Sequence, residues 1–99
     1  MKVVNNEAAH RFEIALDDGQ VAFAEYRLLP GLVAFPHTVV PPAHEGQGLA
    51  SAIARASLDW AREQGLKVAP RCSFYAKYMA RHPETHDLLD ADSARALGI

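Results

Sequence analysis

The stretch from Leu32 to Gly65 constrains the fold more than any other part of the sequence. Leu32 to Val40 is rich in β-branched residues, and Pro41-Pro42 stops the strand that this composition predicts. Gly48 to Gln64 repeats apolar residues at helical spacing, and Gly65 is well placed as its C-terminal cap. The predicted apolar face of this helix carries Leu49, Ile53, Ala56 and Trp60. A strand that runs into an amphipathic helix indicates a mixed α/β fold.

Two segments before this unit predict a β-hairpin. Residues 11–16 alternate apolar and charged side chains, which is the period of a half-buried strand, and a second strand is expected from Val21 to Leu29. Asp17-Asp18-Gly19 supplies turn chemistry between them, and Pro30-Gly31 forms the next turn. Because Pro36 cannot donate a ladder hydrogen bond, we expect a bulge or a splay of the strands near it.

The C-terminal third predicts a short strand and a second helix. Alternate residues from Leu66 to Cys72 share one parity, which places Cys72 at the end of that strand. Ser73 to Arg81 carries aromatic residues at helical spacing, and His82-Pro83 ends the helix because the residue before proline avoids the α region. Residues 91–99 have little periodic signal, and we expect them to fray.

Length favours one globular domain, residues 1–99, and the predicted hairpin and helices favour a mainly antiparallel sheet flanked by helices. The chain is 49% hydrophobic and 22% charged, which is typical of a protein with a packed core. A net charge of -2 provides no basic field for nucleic acid or an anionic membrane. The N-terminus lacks the apolar stretch of a signal peptide. We therefore expect a cytoplasmic protein, as a monomer or weak homodimer.

Cysteine and histidine usage argues against a metal centre. Cys72 is the single cysteine, so it forms no internal disulfide and cannot by itself build a structural zinc site. Among five histidines, His82 and His86 alone have a short paired spacing, but the pair straddles Pro83, which interrupts a helix. We expect no metal ligands in this chain.

The segment from Glu45 to Ser51 predicts an anion site. It lies between a strand and a helix, where backbone N–H groups have no intrahelical partner and the helix dipole is positive. Gly46 and Gly48 let the backbone approach a phosphate without an intervening Cβ. The alternative is that these glycines only form a tight turn. The segment lacks the Gly-Lys-Ser/Thr of a P-loop and the third glycine of a dinucleotide fold.

The same residues resemble a known family. The run Glu45-Gly46-Gln47-Gly48-Leu49-Ala50 is similar to the Gln/Arg-x-x-Gly-x-Gly/Ala acyl-CoA signature of GNAT-type N-acetyltransferases, with Glu45 in place of Gln or Arg. Three further blocks resemble the short, YjdJ-type GNAT-like subfamily of bacteria, and the likeness covers about residues 10 to 89. These blocks are His37-Thr38-Val39-Val40-Pro41, Pro70-Arg71-Cys72 and Arg81-His82-Pro83.

The resemblance implies acetyl-CoA, or coenzyme A, as cofactor. The strand segment His37, Thr38, Val39 and Val40 then holds the pantetheine arm, and Cys72 lies near the thioester. The turn that holds the pyrophosphate consists of Glu45, Gly46, Gln47, Gly48, Leu49, Ala50 and Ser51. Because Glu45 adds a negative charge at a position that is Gln or Arg in the signature, backbone donors must do most of the phosphate binding.

Acetyl transfer to an amine leaves two chemical routes open. The amine attacks acetyl-CoA directly, or Cys72 first takes the acetyl group as a thioester, a role that a helix N-terminus favours by stabilising a thiolate. His37 is the candidate base, and Tyr78 is the candidate proton donor to the departing thiolate, as the resemblance implies. The structural alternatives are a small buried cysteine, a hydrogen-bonded imidazole and a core tyrosine.

The sequence therefore predicts an acetyl-CoA-dependent N-acetyltransferase that acts on an unidentified amine. The alternative is a non-catalytic acyl-CoA-binding or interaction module, because so short a chain lacks much of the N-terminal substrate-binding structure of larger GNAT enzymes. A third possibility is an interaction domain without a cofactor, in which the glycine turn serves only as a cap.

Overall fold

The structure, a computed structural model, describes residues 2–99 and contains five strands and three α-helices. The strands are β1 (Val4–Asn6), β2 (Arg11–Ala15), β3 (Val21–Leu29), β4 (Leu32–Val39) and β5 (Lys67–Ala69). The helices are α1 (Leu49–Glu63), α2 (Ser73–Arg81) and α3 (Ala91–Ala96). Two 3₁₀ helices, Pro42–His44 and Pro83–Leu88, precede α1 and follow α2.

The strands form one sheet in the order β1-β2-β3-β4-β5, and only β4 and β5 are parallel. The predicted β2–β3 hairpin is present as an antiparallel pair, and β3 and β4 form a second antiparallel pair across the Pro30-Gly31 turn. α1 is the crossover that returns the chain to the parallel strand β5, as parallel pairing requires. The prediction of a mainly antiparallel sheet with helices in a single domain is confirmed.

A β-bulge in β4 confirms the irregularity expected near Pro36. The β3–β4 register pairs Glu25 with His37 but Arg27 with Ala34, so two β4 residues lie opposite Tyr26. A bulge bends a strand and interrupts its ladder. β4 pairs with β5 only from Leu32 to Ala34, and the two strands separate past this point.

The core lies on one face of the sheet, beneath α1 and α2. Strand residues such as Phe12 and Phe35 are buried there. The ring of Tyr75 on α2 stacks on Phe35 with centroids 4.4 Å apart, and its hydroxyl lies 2.7 Å from the buried Ser57 hydroxyl on α1. Phe35 and this hydroxyl pair fix the two helices relative to β4, which is the strand beside the predicted site.

The opposite face of the sheet carries a polar, half-buried row. The Arg11 guanidinium lies 4.2 Å above the Phe23 ring and forms an ion pair with Glu13. His37 packs edge-on against the same Phe23 ring, with centroids 6.4 Å apart. Cation–π and cross-strand contacts of this kind organise a solvent-facing surface.

Three details differ from the sequence-based expectations. β1 was not predicted, because three residues containing two asparagines give no periodic signal. The expected strand end at Cys72 is wrong: β5 stops at Ala69, before Pro70, and Cys72 begins a helix instead. Residues 91–99, expected to fray, include helix α3, because the Asp90 side chain caps Ser93 N–H and Leu97 packs against the core.

Candidate functional site

The glycine turn joins the 3₁₀ helix Pro42–His44 to α1. Gly46 and Gly48 have φ of 80° and 77°, a left-handed conformation that side-chain-bearing residues rarely adopt. Gly48 is the N-cap of α1 and provides no side-chain hydrogen bond to the helix. A Cβ built at either glycine would meet no protein atom within 4 Å, so the space in front of this turn is open.

The backbone N–H groups from Gly46 to Ser51 donate to no acceptor among residues 2–99; the first helical bond of α1 runs from Ala52 N–H to the Gly48 carbonyl. The first turn of any helix leaves such donors free, and the two glycines extend the set into the preceding loop. The first turn of α1 contains no acidic residue, so the positive end of its dipole is not neutralised there. This arrangement suits an anionic group.

A pocket of about 270 Å³ lies against these donors. It connects Val40, the residue directly after β4, to the glycine turn and to Phe74 on α2. Its other lining residues are His44, Glu45, Gly46, Gly48, Leu49, Ala50 and Ser51. Of the predicted phosphate-binding residues, only Gln47 is absent from the lining. The structure thus brings the predicted turn and the end of the predicted pantetheine strand to one pocket.

An ion pair ties this turn to the hairpin turn between β2 and β3. His44 Nε2 lies 2.8 Å from Asp18 Oδ2, and His44 Nδ1 lies 3.4 Å from Gln47 Oε1. The hydrogen bond to Asp18 raises the pKa of His44. Hydrogen bonds from His44 and Gln20 lower the pKa of Asp18 to about 2. Because both ring nitrogens face acceptors, the imidazolium is the form that donates to both.

Cys72 is the N-cap of α2 and faces β4. Its sulfur accepts the Tyr75 N–H bond at 3.5 Å and lies 3.3 Å from the Thr38 hydroxyl oxygen. Its own N–H group donates to the carbonyl of Phe35, one of the two bulge residues, at 3.0 Å. The thiol is partly exposed, so a reagent can reach a sulfur that lies at the positive end of a helix.

β4 and β5 part beyond Ala34, which leaves a split in the sheet beside Cys72. β4 keeps its pairing to β3 through Val39, while its other edge has no strand partner beyond Ala34 within residues 2–99. The Cys72 N–H bond to Phe35 closes the inner end of the split. An extended ligand can pair with such an unpartnered edge.

His37 and Thr38 lie on opposite faces of β4. Thr38 pairs with the buried Ala24 and turns its hydroxyl toward Cys72, whereas His37 pairs with Glu25 and packs on Phe23. Because successive strand residues point to opposite faces, the predicted base and the predicted nucleophile are not in contact. His37 reaches only a reactant that approaches from the open face of the sheet.

Tyr78 lines a different depression from the glycine turn. A groove of about 610 Å³ between α1, α2 and the 3₁₀ helix Pro83–Leu88 contains Tyr78 beside Arg55 and Asp59. The Tyr78 ring stacks on His82 with centroids 4.0 Å apart, and burial raises its pKa. The structure does not bring Tyr78 into the pocket at the glycine turn.

The sequence did not predict two contacts of the site. The Thr38–Cys72 contact joins residues 34 apart, and the His44–Asp18 pair joins residues 26 apart. No local sequence pattern predicts either pairing. The only signal is that titratable residues stand in both turns: aspartates in the hairpin turn and a histidine beside the glycine turn.

Within residues 2–99 there is no group of three His, Cys, Asp or Glu side chains that could hold a metal ion. No helix in that range is long and apolar enough to cross a bilayer.

Comparison with known proteins decides the family. Residues 11–88 match the model of the GCN5-related N-acetyltransferases. The chain belongs to this family. The match covers β2 through the end of the second 3₁₀ helix and so includes every residue of the pocket and of the Cys72 contact. It confirms the resemblance drawn from the motifs.

Individual relatives agree with this assignment. The chain is 31% identical over 86 residues to protein NATD1 of Mus musculus, covering 84% of this chain and 77% of the relative. NATD1 of Homo sapiens is also 31% identical, with 75% of its length covered. The solution structure of a GCN5-like protein from Staphylococcus aureus superposes with a TM-score of 0.71 at 24% identity, over 90% of this chain and 87% of that one. That likeness shows the fold.

Proposed function

We propose that this protein is an acetyl-CoA-dependent N-acetyltransferase whose glycine turn binds the diphosphate of coenzyme A. The observation that supports it best is the run of free backbone N–H groups from Gly46 to Ser51, which faces an open pocket. Helix N-termini with such donors bind phosphates. Membership of the N-acetyltransferase family supports acetyl transfer to an amine as the reaction class.

The split between β4 and β5 supports a position for the pantetheine arm of coenzyme A. The pocket at the glycine turn is lined by Val40, which directly follows β4, and the edge of β4 beyond Ala34 has no strand partner within residues 2–99. Amide groups of an extended ligand form strand-like hydrogen bonds with such an edge. In this pose the segment His37 to Val40 contributes backbone groups, and the thioester lies toward Cys72 and the bulge.

We further propose that Cys72 carries the acetyl group. Its sulfur attacks the thioester carbonyl carbon, the bond from that carbon to the coenzyme A sulfur breaks, and the thiol proton passes to the departing thiolate. The acceptor amine then attacks the acetyl-cysteine, breaks the bond to Sγ and returns the thiol. The place of Cys72 at the N-terminus of α2, where Sγ accepts the Tyr75 N–H bond and lies beside the Thr38 hydroxyl, supports this role.

His37 and Tyr78 keep the roles predicted for them as base and proton donor, with different support. His37 lies on the face from which an acceptor can approach the split, and it is exposed. Tyr78 lines the other groove, so a proton donor role requires a ligand that spans both depressions. Direct attack of the amine on acetyl-CoA uses neither Cys72 sulfur nor an acetyl-enzyme.

Coenzyme A binding is tested by thermal unfolding. A ligand that binds only the native state at about 100 times its Kd adds about 2.7 kcal/mol of stability. In a domain of this size this raises Tm on the order of 10 °C. Pantetheine, which lacks the diphosphate, is the matched control and should produce little shift at the same concentration. No shift with millimolar coenzyme A would remove the cofactor assignment.

The acetyl-cysteine is tested by intact-protein mass spectrometry after incubation with acetyl-CoA alone. We expect one added acetyl group that hydroxylamine removes, because a thioester is labile to hydroxylamine and an amide is not. Cys72→Ser should lack the hydroxylamine-sensitive adduct and keep most of its affinity for coenzyme A. If no adduct forms and Cys72→Ala turns over an amine normally, the amine attacks directly. If coenzyme A binds but no amine in a broad panel is acetylated, the protein is a binding module.

A further inference from the structure

The pocket at the glycine turn contains an unfavourable charge for its proposed ligand. Glu45 lines the pocket and is exposed, so it adds a negative charge next to the proposed phosphate site. Among the lining residues, His44 is the one that can carry a positive charge. Its side chain is 18% exposed and is held between two acceptors.

The contacts of His44 reach both sides of the turn. Asp18 Oδ2, on the β2–β3 hairpin turn, lies 2.8 Å from Nε2, and Gln47 Oε1, inside the glycine turn, lies 3.4 Å from Nδ1. A neutral imidazole donates to only one of these oxygens. The charged ring therefore connects the hairpin turn to the segment that presents the free N–H groups.

We propose that His44 is a positioning residue of the phosphate site, which as an imidazolium fastens the glycine turn to Asp18 and places a positive charge beside the bound diphosphate. The inference rests on the proposed function and adds a dependence on pH. The imidazolium is lost as the pH rises through the pKa of His44, which the hydrogen bond to Asp18 raises above the ordinary value of a histidine. Affinity for the diphosphate therefore falls on the alkaline side.

Other charged groups near the His44 ring also influence its charge. From the hairpin turn, Asp17 and Asp18 favour the charged form of His44. On its own turn, Glu45 lies next to it in sequence and lines the same pocket. The first turn of α1 brings no acidic side chain, and the α2 residue at the pocket is the uncharged Phe74.

The probe is dephospho-coenzyme A, measured by calorimetry between about pH 6 and pH 9. It lacks the phosphate monoester of coenzyme A, whose second pKa of about 6 would otherwise alter the ligand charge over this range. We expect wild-type affinity to fall roughly fivefold from the acid to the alkaline end, which is the size of one screened charge interaction. His44→Gln should bind about as weakly at every pH as the wild type does at the alkaline end.

Three further variants distinguish an effect of the His44 charge from an effect on the structure of the turn. His44→Arg should bind at near-maximal affinity across the range, because its charge does not titrate. Asp18→Asn should shift the decline toward lower pH, while Asp17→Asn, which removes the same charge from the same turn without the hydrogen bond, should stay close to wild type. Asp18→Asn is an exposed substitution, so it preserves the test if His44→Gln does not fold.

These measurements distinguish a failure of the His44 role from a failure of the proposed function. A flat wild-type profile, or equal profiles for Asp18→Asn and Asp17→Asn, overturns the role of His44 while coenzyme A binding stands. Loss of affinity in His44→Arg equal to that in His44→Gln shows a packing role and also overturns it. A wild-type protein that binds neither coenzyme A nor its dephospho form overturns the proposed function itself.

Discussion

The N-termini of α1 and α2 both lie beside β4, but they are built in opposite ways. α1 begins at a left-handed glycine that offers no cap, and the preceding N–H groups face an open pocket. α2 begins at Cys72, whose sulfur accepts an N–H bond from the first turn of the helix. A helix end without a side-chain cap is available to an anion, whereas a capped end positions its capping atom. The first therefore suits phosphate and the second suits a reactive sulfur.

Substitution of Gly48, at the uncapped end of α1, should have the largest effect on coenzyme A binding. A Cβ at its φ of 77° costs about 1 to 2 kcal/mol of stability, and it stands beside the free donors of the pocket. We expect Gly48→Ala to weaken coenzyme A binding about tenfold or more, because a hydrogen bond to a charged group is worth about 1.5 to 3 kcal/mol. Calorimetric titration measures the change.

Gly65→Ala is the matched control. Gly65 has a φ of 70° and also meets no atom within 4 Å of a built Cβ, but it closes the opposite end of α1. It should lose similar stability in urea unfolding and keep wild-type affinity. Equal losses of affinity in the two variants would mean that backbone strain, rather than access to the turn, weakens binding.

Substitution of Cys72, at the capped end of α2, should have a smaller effect, and this effect is on stability. Cys72→Ala removes the acceptor of the Tyr75 N–H bond, and we expect the free energy of unfolding to fall by about 1 kcal/mol, the usual effect of losing an N-cap. Cys72→Ser keeps an acceptor and should unfold at nearly the wild-type urea concentration. If the serine and alanine variants are equally destabilised, the thiol contributes by packing and not as a cap.

The charge at Glu45 should produce the smallest change. Glu45→Gln removes a carboxylate from the lining of the pocket, so coenzyme A affinity should rise about twofold to threefold at low salt and less at high salt. Glu63→Gln removes the same charge from the exposed far end of α1 and should have no effect. A loss of affinity in Glu45→Gln would show that the carboxylate supports the turn.

Local signals in the sequence determined most of the elements. β3 and α2 have the predicted bounds, Val21 to Leu29 and Ser73 to Arg81, and α1 lies within one residue of its predicted ends. Alternation, helical spacing, proline and glycine act over a few neighbouring residues, so they are visible without the fold. The glycine turn and the bulge near Pro36 were predictable for the same reason.

Tertiary structure alone decided which side chains meet at the site. The bulge sets the faces of β4 beyond Pro36, and with them which of His37 and Thr38 faces Cys72. Cys72 shares the parity of β5 in the sequence, yet it caps α2 because β5 ends before Pro70. The His44–Asp18 pair joins the β2–β3 hairpin turn to the connection between β4 and α1, and it forms because the fold places these two segments side by side. Such contacts join distant residues, and their geometry follows from the packing of the sheet and helices, which no local pattern encodes.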